Sequence, residues 1–124
     1  MSKFVIRRVD TGLKFDLCAE NGEVIATSEV YTSRAAALRG IESVRACAAA
    51  GRIRDLTAPT ECACSNPKFE LFRDKRDACR FRLRARNGRI IAVSEAYTSH
   101  AAALSGIQSV IVNAPMAEIE ETNH

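Results

Sequence analysis

Hydrophobic and polar residues alternate in short runs near the start of the chain. Phe4 and Ile6 alternate with polar neighbours, and Phe15, Leu17 and Ala19 repeat the pattern a few positions later. A spacing of two residues is typical of a strand with one buried face. The chain therefore begins with two predicted strands.

An Asn-Gly pair at positions 21–22 follows the second strand. Both residue types adopt positive φ, so the pair predicts a two-residue type I′ turn and a third strand that returns antiparallel. This register places Leu17 opposite Ala26 on an apolar face and Ile25 on the opposite, polar face.

A helix is predicted after the third strand. The hydroxyls of Thr32 and Ser33 are suited to cap its first turn. Apolar residues then recur at helical spacing, at Ala37, Leu38, Ile41, Val44 and Ala48. Gly40 lies beside this stripe at a cost of about 1 kcal/mol relative to alanine. We expect Gly40, and its counterpart Gly106, to let the helix approach the sheet closely.

The whole pattern occurs twice. Residues 15–48 match residues 81–114 at 21 of 34 positions, which indicates a tandem duplication. Each copy ends in a short predicted fourth strand, at 52–56 and at 118–121. We therefore predict a first β3-α-β repeat over 1–57, a linker over 58–67 and a second repeat over 68–124. Together the repeats are expected to form one α+β domain, with two helices packed on one face of its sheet.

The repeated motifs resemble those of the YegP-like family of bacterial proteins. They are Lys-Phe-Glu at the start of the second repeat, Phe-Arg-Leu-Arg-Ala, Asn-Gly, Ile-Ile-Ala, Ser-Glu-x-Tyr-Thr-Ser and Gly-Ile-x-Ser-Val. The resemblance covers nearly the whole chain apart from the linker. It implies two β3-α-β units that share one antiparallel sheet and exchange their last strands, and it implies no activity.

Charge in the fourth strands gives an independent reason to expect this exchange. If each fourth strand lies beside a first strand, then within its own repeat Arg54 would lie near Lys3 and Arg7, whereas Glu120 would lie near Glu70. Exchange replaces these like-charge neighbours with opposite charges, and cross-strand pairs contribute roughly 0.2–1 kcal/mol each.

The formal net charge is only +3, but basic residues concentrate in one segment. Residues 68–89 hold nine Lys/Arg against three acids, whereas residues 90–124 hold four acids and no Lys/Arg. No apolar run approaches the length of a membrane span, and Met1 leads directly into strand-like sequence, so we expect a cytoplasmic protein.

Arginines alternate with apolar residues in the second strand of the second repeat. This spacing predicts that Arg80, Arg82, Arg84 and Arg86 project from the sheet face opposite the core, about 7 Å apart along the strand. Arg89 is expected beside Arg86 across the turn, and Phe72 on the same face. Together these six residues form the candidate binding surface.

Two partners fit such a surface. The first repeat carries Asp16, Glu20 and Glu23 where the second carries Arg82, Arg86 and Arg89, so the acidic face of one molecule suits the basic face of another. A non-enzymatic protein that binds a protein or a second copy is the leading interpretation. The alternative is weak, largely non-specific nucleic-acid binding by the arginines.

A second candidate partner patch lies in the second helix. Arg45 and Ala46 of the first helix are replaced by Ile111 and Val112 in the second. The replacement adds apolar surface to the end of that helix. We expect this end to be covered by the neighbouring repeat or by another chain.

The residues capable of catalysis or metal binding are few and scattered. Cys62 and Cys64 supply half of a zinc ligand set, and neither His100 nor His124 is placed to complete it. There is no phosphate-binding loop, dinucleotide fingerprint or zinc-helix motif. The sequence therefore predicts no enzyme, no cofactor and no metal. We expect the motif Ser-Glu-x-Tyr-Thr-Ser to serve structure, through its capping hydroxyls and a packed tyrosine.

Overall fold

The computed structural model describes residues 2–57 and 65–121. In chain order the elements are β1 (Lys3–Val9), β2 (Gly12–Cys18), β3 (Val24–Thr27), α1 (Arg34–Ala50), β4 (Ile53–Asp55), β5 (Lys68–Arg73), β6 (Cys79–Arg84), β7 (Ile90–Ser94), α2 (His100–Asn113) and β8 (Glu118–Glu121). A short 3-10 turn, Ala114–Met116, joins α2 to β8. The predicted succession of three strands, a helix and a strand therefore occurs in both repeats.

The eight strands form one mixed sheet in the order β4-β5-β6-β7-β3-β2-β1-β8. The two repeats meet where β3 pairs antiparallel with β7. At the two edges, β4 runs parallel to β5 and β8 runs parallel to β1. The expectation of a purely antiparallel sheet was wrong, because alternation of apolar residues identifies strands without fixing their direction.

The hairpin between β2 and β3 differs from the predicted type I′ turn. Gly22 has a φ of 87°, whereas Asn21 is not among the described residues with positive φ. The amide of Gly22 donates to the carbonyl of Ala19, and that of Ala19 donates to Glu23. This is a three-residue loop closed by a glycine in the left-handed region.

A β-bulge in β3 changes which side chains reach the core. Leu17 lies opposite Ala26 as predicted, but Cys18 lies opposite Val24, so Ile25 is the extra residue. Ile25 is buried in the core rather than placed on the polar face. The same shift in the second repeat buries Ile91 beside Ala92.

One hydrophobic core lies between the sheet and the two helices. Gly40 of α1 faces Tyr31, because a Cβ added at Gly40 would stand 2.3 Å from the tyrosine hydroxyl. The Tyr31 ring is in turn stacked on Phe15, with 5.9 Å between centroids. Glycine thus allows close approach, and the closest contact is with a tyrosine from the preceding loop.

Both helices begin at the predicted serine caps. Ser33 accepts from the amide of Ala36, and Ser99 accepts from the amide of Ala102. The first residue of each helix also binds an acid of the other repeat's fourth strand. Arg34 pairs with Glu121, and His100 Nε2 lies 2.6 Å from Asp55 Oδ2. These two side-chain pairs are called the helix–strand pairs below.

The end of α2 is only partly covered. Ile111 is half-buried and packs against the core, as expected from its apolar character. Val112 is 68% exposed and Met116 is 81% exposed. Ile111 therefore packs against the common core while Val112 stays open, and a partner over Val112 stays a prediction.

Candidate binding surface on the outer face of the sheet

The sheet has both helices on one face, and its opposite face is called the outer face. Core residues alternate along each strand with residues that project outward, because side chains of a strand point to alternate faces. On β4, β5 and β6 the outward residues are Arg54, Lys68, Glu70, Phe72, Arg80, Arg82 and Arg84. These seven residues are called the basic half.

Glu70 is the centre of the basic half. Its Oε1 accepts from Arg82 Nε at 2.7 Å and from Arg84 Nε at 2.6 Å, and Lys68 Nζ lies 3.8 Å from its Oε2. The Glu70 side chain is only 7% exposed. Three cations therefore share one buried carboxylate.

Glu70 is ionised despite its burial. Burial opposes the charged form, but the hydrogen bonds from Arg82 and Arg84 outweigh it and lower the pKa of Glu70 below its ordinary value. The carboxylate consequently holds two guanidinium groups in fixed positions on the outer face.

The six sequence-predicted residues do not form one continuous stripe. Arg80, Arg82 and Arg84 lie on β6, but that strand ends at Arg84 and Arg86 is exposed in the following turn. Arg89 lies across the same turn, where its Nη2 is 3.6 Å from Glu29 of the first repeat. The expected row of four arginines is therefore a row of three.

Phe72 lies on the outer face as expected, but its ring is covered. The guanidinium carbon of Arg82 stands 4.5 Å from the ring centroid, a cation–π contact. A base cannot stack on this side of the ring unless Arg82 moves. The ring therefore orients Arg82 rather than offering a free stacking platform.

The outer face of the first repeat is not acidic. Asp16 accepts from Arg7 Nε at 2.8 Å and from the Thr27 hydroxyl at 2.8 Å. Glu20 and Glu23 lie in the β2–β3 hairpin loop rather than in a row with Asp16. This arrangement weakens the hypothesis that an acidic face of one molecule meets the basic face of another.

The motif Ser-Glu-x-Tyr-Thr-Ser serves the fold in both repeats. Ser28 accepts from the amide of Phe15 and donates to the carbonyl of Glu29. Ser94 makes the same two hydrogen bonds with Phe81 and Glu95. Burial is the leading cause that raises the pKa of Tyr31 and of Tyr97.

The other candidate chemistry is sparse. Within residues 2–57 and 65–121, no three His, Cys, Asp or Glu side chains gather to hold a metal ion. Cys62, Cys64 and His124 lie outside the described residues, while Cys18, Cys47 and Cys79 are free thiols. No described helix is long and apolar enough to cross a membrane.

The sequence analysis missed three members of the basic half as site residues, Arg54, Lys68 and Glu70. The signal that identifies them is register. Arg54 lies opposite Glu70, which lies opposite Arg82, whereas Lys68 lies opposite Arg84. Strand alternation gives the face of each residue, but only the pairing of β4 with β5 brings Arg54 to this group.

Comparison with known proteins gives a consistent family and no function. Residues 10–55 and 74–121 each match the Domain of unknown function (DUF1508). A UPF0339 protein of Photorhabdus laumondii is 38% identical over 107 residues, covering 86% of this chain and 81% of the relative. A UPF0339 protein of Treponema denticola is 57% identical over 54 residues, which are 44% of this chain and 93% of that protein.

Two solved structures have the same fold. The NMR structure of the protein of unknown function yegP from E. coli has a TM-score of 0.79 at 29% identity, over 98% of this chain and 92% of that one. The NMR structure of a UPF0339 protein from Shewanella oneidensis has a TM-score of 0.78 at 33% identity, over 97% of this chain and 90% of that one.

Proposed function

The chain belongs to the UPF0339 or YegP-like family, and we propose that it is a non-enzymatic binding protein whose basic half takes an acidic segment of another protein. The observation that carries this proposal is the charge around Glu70. Arg82 and Arg84 both bind its Oε1, and Lys68 lies close to its Oε2, so one carboxylate faces three cations. The group has an excess of positive charge that a carboxylate-bearing partner would neutralise.

The size of the basic half favours a short partner. It spans three strands, or about 10 Å between the outer two, since neighbouring strands lie about 4.8 Å apart. Beyond it the outer face is close to neutral, and β8 at the far edge carries Glu118 and Glu120. A long polyanion that crossed the whole sheet would meet these acids, whereas a short acidic segment would not.

Nucleic acid is the second candidate, and one observation favours it. Arg80, Arg82 and Arg84 lie in line along β6, about 7 Å between neighbours, because side chains on one face of a strand repeat every two residues. Such a line suits successive phosphates. Binding to duplex DNA would weaken with salt, with log K falling by about 0.9 per log unit of salt for each phosphate neutralised.

Fluorescence anisotropy with three labelled probes tests the proposal. The probes are a poly-glutamate peptide, a DNA duplex and a single-stranded oligonucleotide, each titrated at low salt. We expect the peptide to bind most tightly. Tighter binding of either nucleic acid would favour the second candidate, and failure of all three probes to bind would overturn both.

The variant must remove the Glu70 group as a unit. Replacing Arg82 and Arg84 alone leaves Glu70 buried without its partners, which costs about 1–3 kcal/mol or more and confuses binding with stability. Glu70→Gln/Arg82→Gln/Arg84→Gln avoids this and should weaken peptide binding at least tenfold.

Arg7→Gln/Lys14→Gln/Asp16→Asn is the matched control in the first repeat. It removes two cations and one acid, as the test variant does, and should leave binding unchanged. Equal loss of affinity in both variants would mean that net charge, and not the basic half, controls binding.

We also propose that the repeats exchange their fourth strands, so that each fourth strand pairs with the first strand of the other repeat. Support comes from β4 beside β5 and β8 beside β1, with Lys3 Nζ 2.6 Å from Glu120 Oε2. Lys3→Glu should lower the urea midpoint, and adding Glu120→Lys should restore it. Additive effects of the two changes would count against pairing of these charges.

A further inference from the structure

Arg54 is the one side chain of the basic half with a buried donor that has no partner. Its Nε is inaccessible to solvent and makes no hydrogen bond among the described residues. Buried donors are normally satisfied, and an exception needs a physical explanation. The terminal nitrogens of Arg54 make no hydrogen bond among the described residues either, and they are the atoms of this side chain that a ligand could reach.

The surroundings of Arg54 are strongly cationic. Arg54, Glu70 and Arg82 occupy one row across β4, β5 and β6, and Lys68 and Arg84 occupy the next row. Four cations thus lie around one carboxylate, and the single negative charge of Glu70 is already engaged by Arg82 and Arg84. Among the described residues, Arg54 therefore has no acid of its own.

Arg82 provides a second set of donors. Only its Nε is used on Glu70, and its terminal nitrogens have no hydrogen-bond partner among the described residues. The ring of Phe72 lies beneath the guanidinium and restricts its orientation. A guanidinium held in this way binds a planar or tetrahedral oxyanion with little further loss of side-chain entropy.

We propose that Arg54, Lys68, Arg82 and Arg84 form a binding site for one phosphate dianion, with the terminal nitrogens of Arg54 and Arg82 as donors. The inference rests on the proposed function, because it assigns a ligand chemistry to the same face. A dianion neutralises most of the excess charge of the cluster, whereas a monoanion neutralises less. The phosphate is either free or carried as a monoester on a partner.

The other half of the sheet, formed by β1, β2, β3 and β8, provides an internal reference for this site. At the positions that correspond to Arg54, Lys68, Glu70, Arg82 and Arg84, that half has Glu120, Lys3, Val5, Asp16 and Cys18. The same backbone arrangement there carries two acids and one cation. The site is therefore specific to the second half of the sheet, and the first half should bind no anion.

NMR titration of the arginine Nε–Hε signals tests the site. Sodium phosphate, phenyl phosphate and dimethyl phosphate are compared at constant ionic strength set with sodium chloride. We expect saturable shifts of the Arg54 and Arg82 signals with phosphate and phenyl phosphate, and at least tenfold weaker binding of dimethyl phosphate. Equal or tighter binding of dimethyl phosphate would overturn the dianion assignment and indicate a nucleic-acid backbone.

Two variants separate a ligand site from a structural cluster. Arg54→Met should weaken phosphate binding at least tenfold, whereas Arg8→Met, an exposed cation outside the cluster, should leave it unchanged. Glu70→Gln should strengthen phosphate binding, because it frees Arg82 and Arg84 and removes the carboxylate that now engages them. No saturable shift in the wild type, or weaker binding in Glu70→Gln, would overturn the proposal.

The peptide and phosphate measurements fail independently. Loss of phosphate binding with retained poly-glutamate binding would overturn the phosphate site and leave the proposed function standing. Phosphate binding without any poly-glutamate binding would overturn the proposed function and leave the phosphate site standing. If Arg54→Met does not fold, the Glu70→Gln titration alone decides the question, because its expected change is a gain of affinity.

Discussion

Single residues set how closely each helix approaches the sheet. Gly106 repeats the role of Gly40, since a Cβ at Gly106 would stand 2.4 Å from the Tyr97 hydroxyl and 2.8 Å from a ring carbon of Phe81. Tyr97 is stacked on Phe81 and cannot move away without disturbing that contact. A helix with a side chain at this position would have to rise from the core.

Gly40→Ala tests this packing. The substitution improves helix propensity by about 1 kcal/mol, but overpacking against Tyr31 and Phe15 costs typically 1–3 kcal/mol. We expect a net loss of stability in urea denaturation. Ser105→Ala, at an exposed position of α2, is the control and should be neutral or stabilising. An equal gain of stability in both variants would show that Tyr31 makes room for the added methyl group without an energetic penalty.

At the scale of elements, the two helix–strand pairs connect the start of each helix to a strand of the other repeat. Arg34 and His100 occupy equivalent positions, as do their partners Glu121 and Asp55. Burial raises the pKa of Asp55, but hydrogen bonds from Thr57 and His100 outweigh it, so the pKa falls below its ordinary value. The charged form of Asp55 therefore stabilises the fold.

The pH dependence of the free energy of unfolding should reveal the contribution of the His100–Asp55 pair. A lowered pKa means that its contribution is complete above the ordinary aspartate value of 3.8 and is lost as pH falls further. Asp55→Asn should make the free energy of unfolding less sensitive to acid below that value. Asp10→Asn, at an exposed position, should leave the acid sensitivity unchanged. Identical acid profiles for wild type and Asp55→Asn would contradict this role.

The exposed end of α2 gives a second element-scale prediction. Ile111→Lys should lower the melting temperature, because Ile111 packs against the core. Val112→Lys should leave the melting temperature unchanged and abolish any concentration-dependent association seen by sedimentation. A stable Ile111→Lys variant would contradict the packing role, and association that persists in Val112→Lys would contradict the partner role.

The sequence predicted most elements because alternation and helical spacing reflect burial directly. It did not reveal that the Ile25 side chain lies in the core, because a bulge shifts the register by one residue and leaves no signal in the residue pattern. It missed the parallel edges for a related reason. Strand direction depends on where the chain returns after each helix, and no local residue pattern determines that path.

The candidate surface was only partly predictable. The arginine alternation gave the correct face for Arg82 and Arg84, because a strand period of two is a local property. The carboxylate that joins them comes from β5, and Arg54 comes from the other repeat through β4. Their convergence is a property of the assembled sheet, and it became visible only once the pairing of the strands was known.

At the scale of the whole molecule, the two halves of the sheet share a backbone plan but differ in charge. Two separate single-repeat chains would have to place every substitution in both halves, so an arginine gained on one side would appear on the other. A single chain is free of that obligation. Its second half can carry positive charge while its first half carries Asp16 and Glu120, which gives an asymmetric surface on a nearly symmetric scaffold.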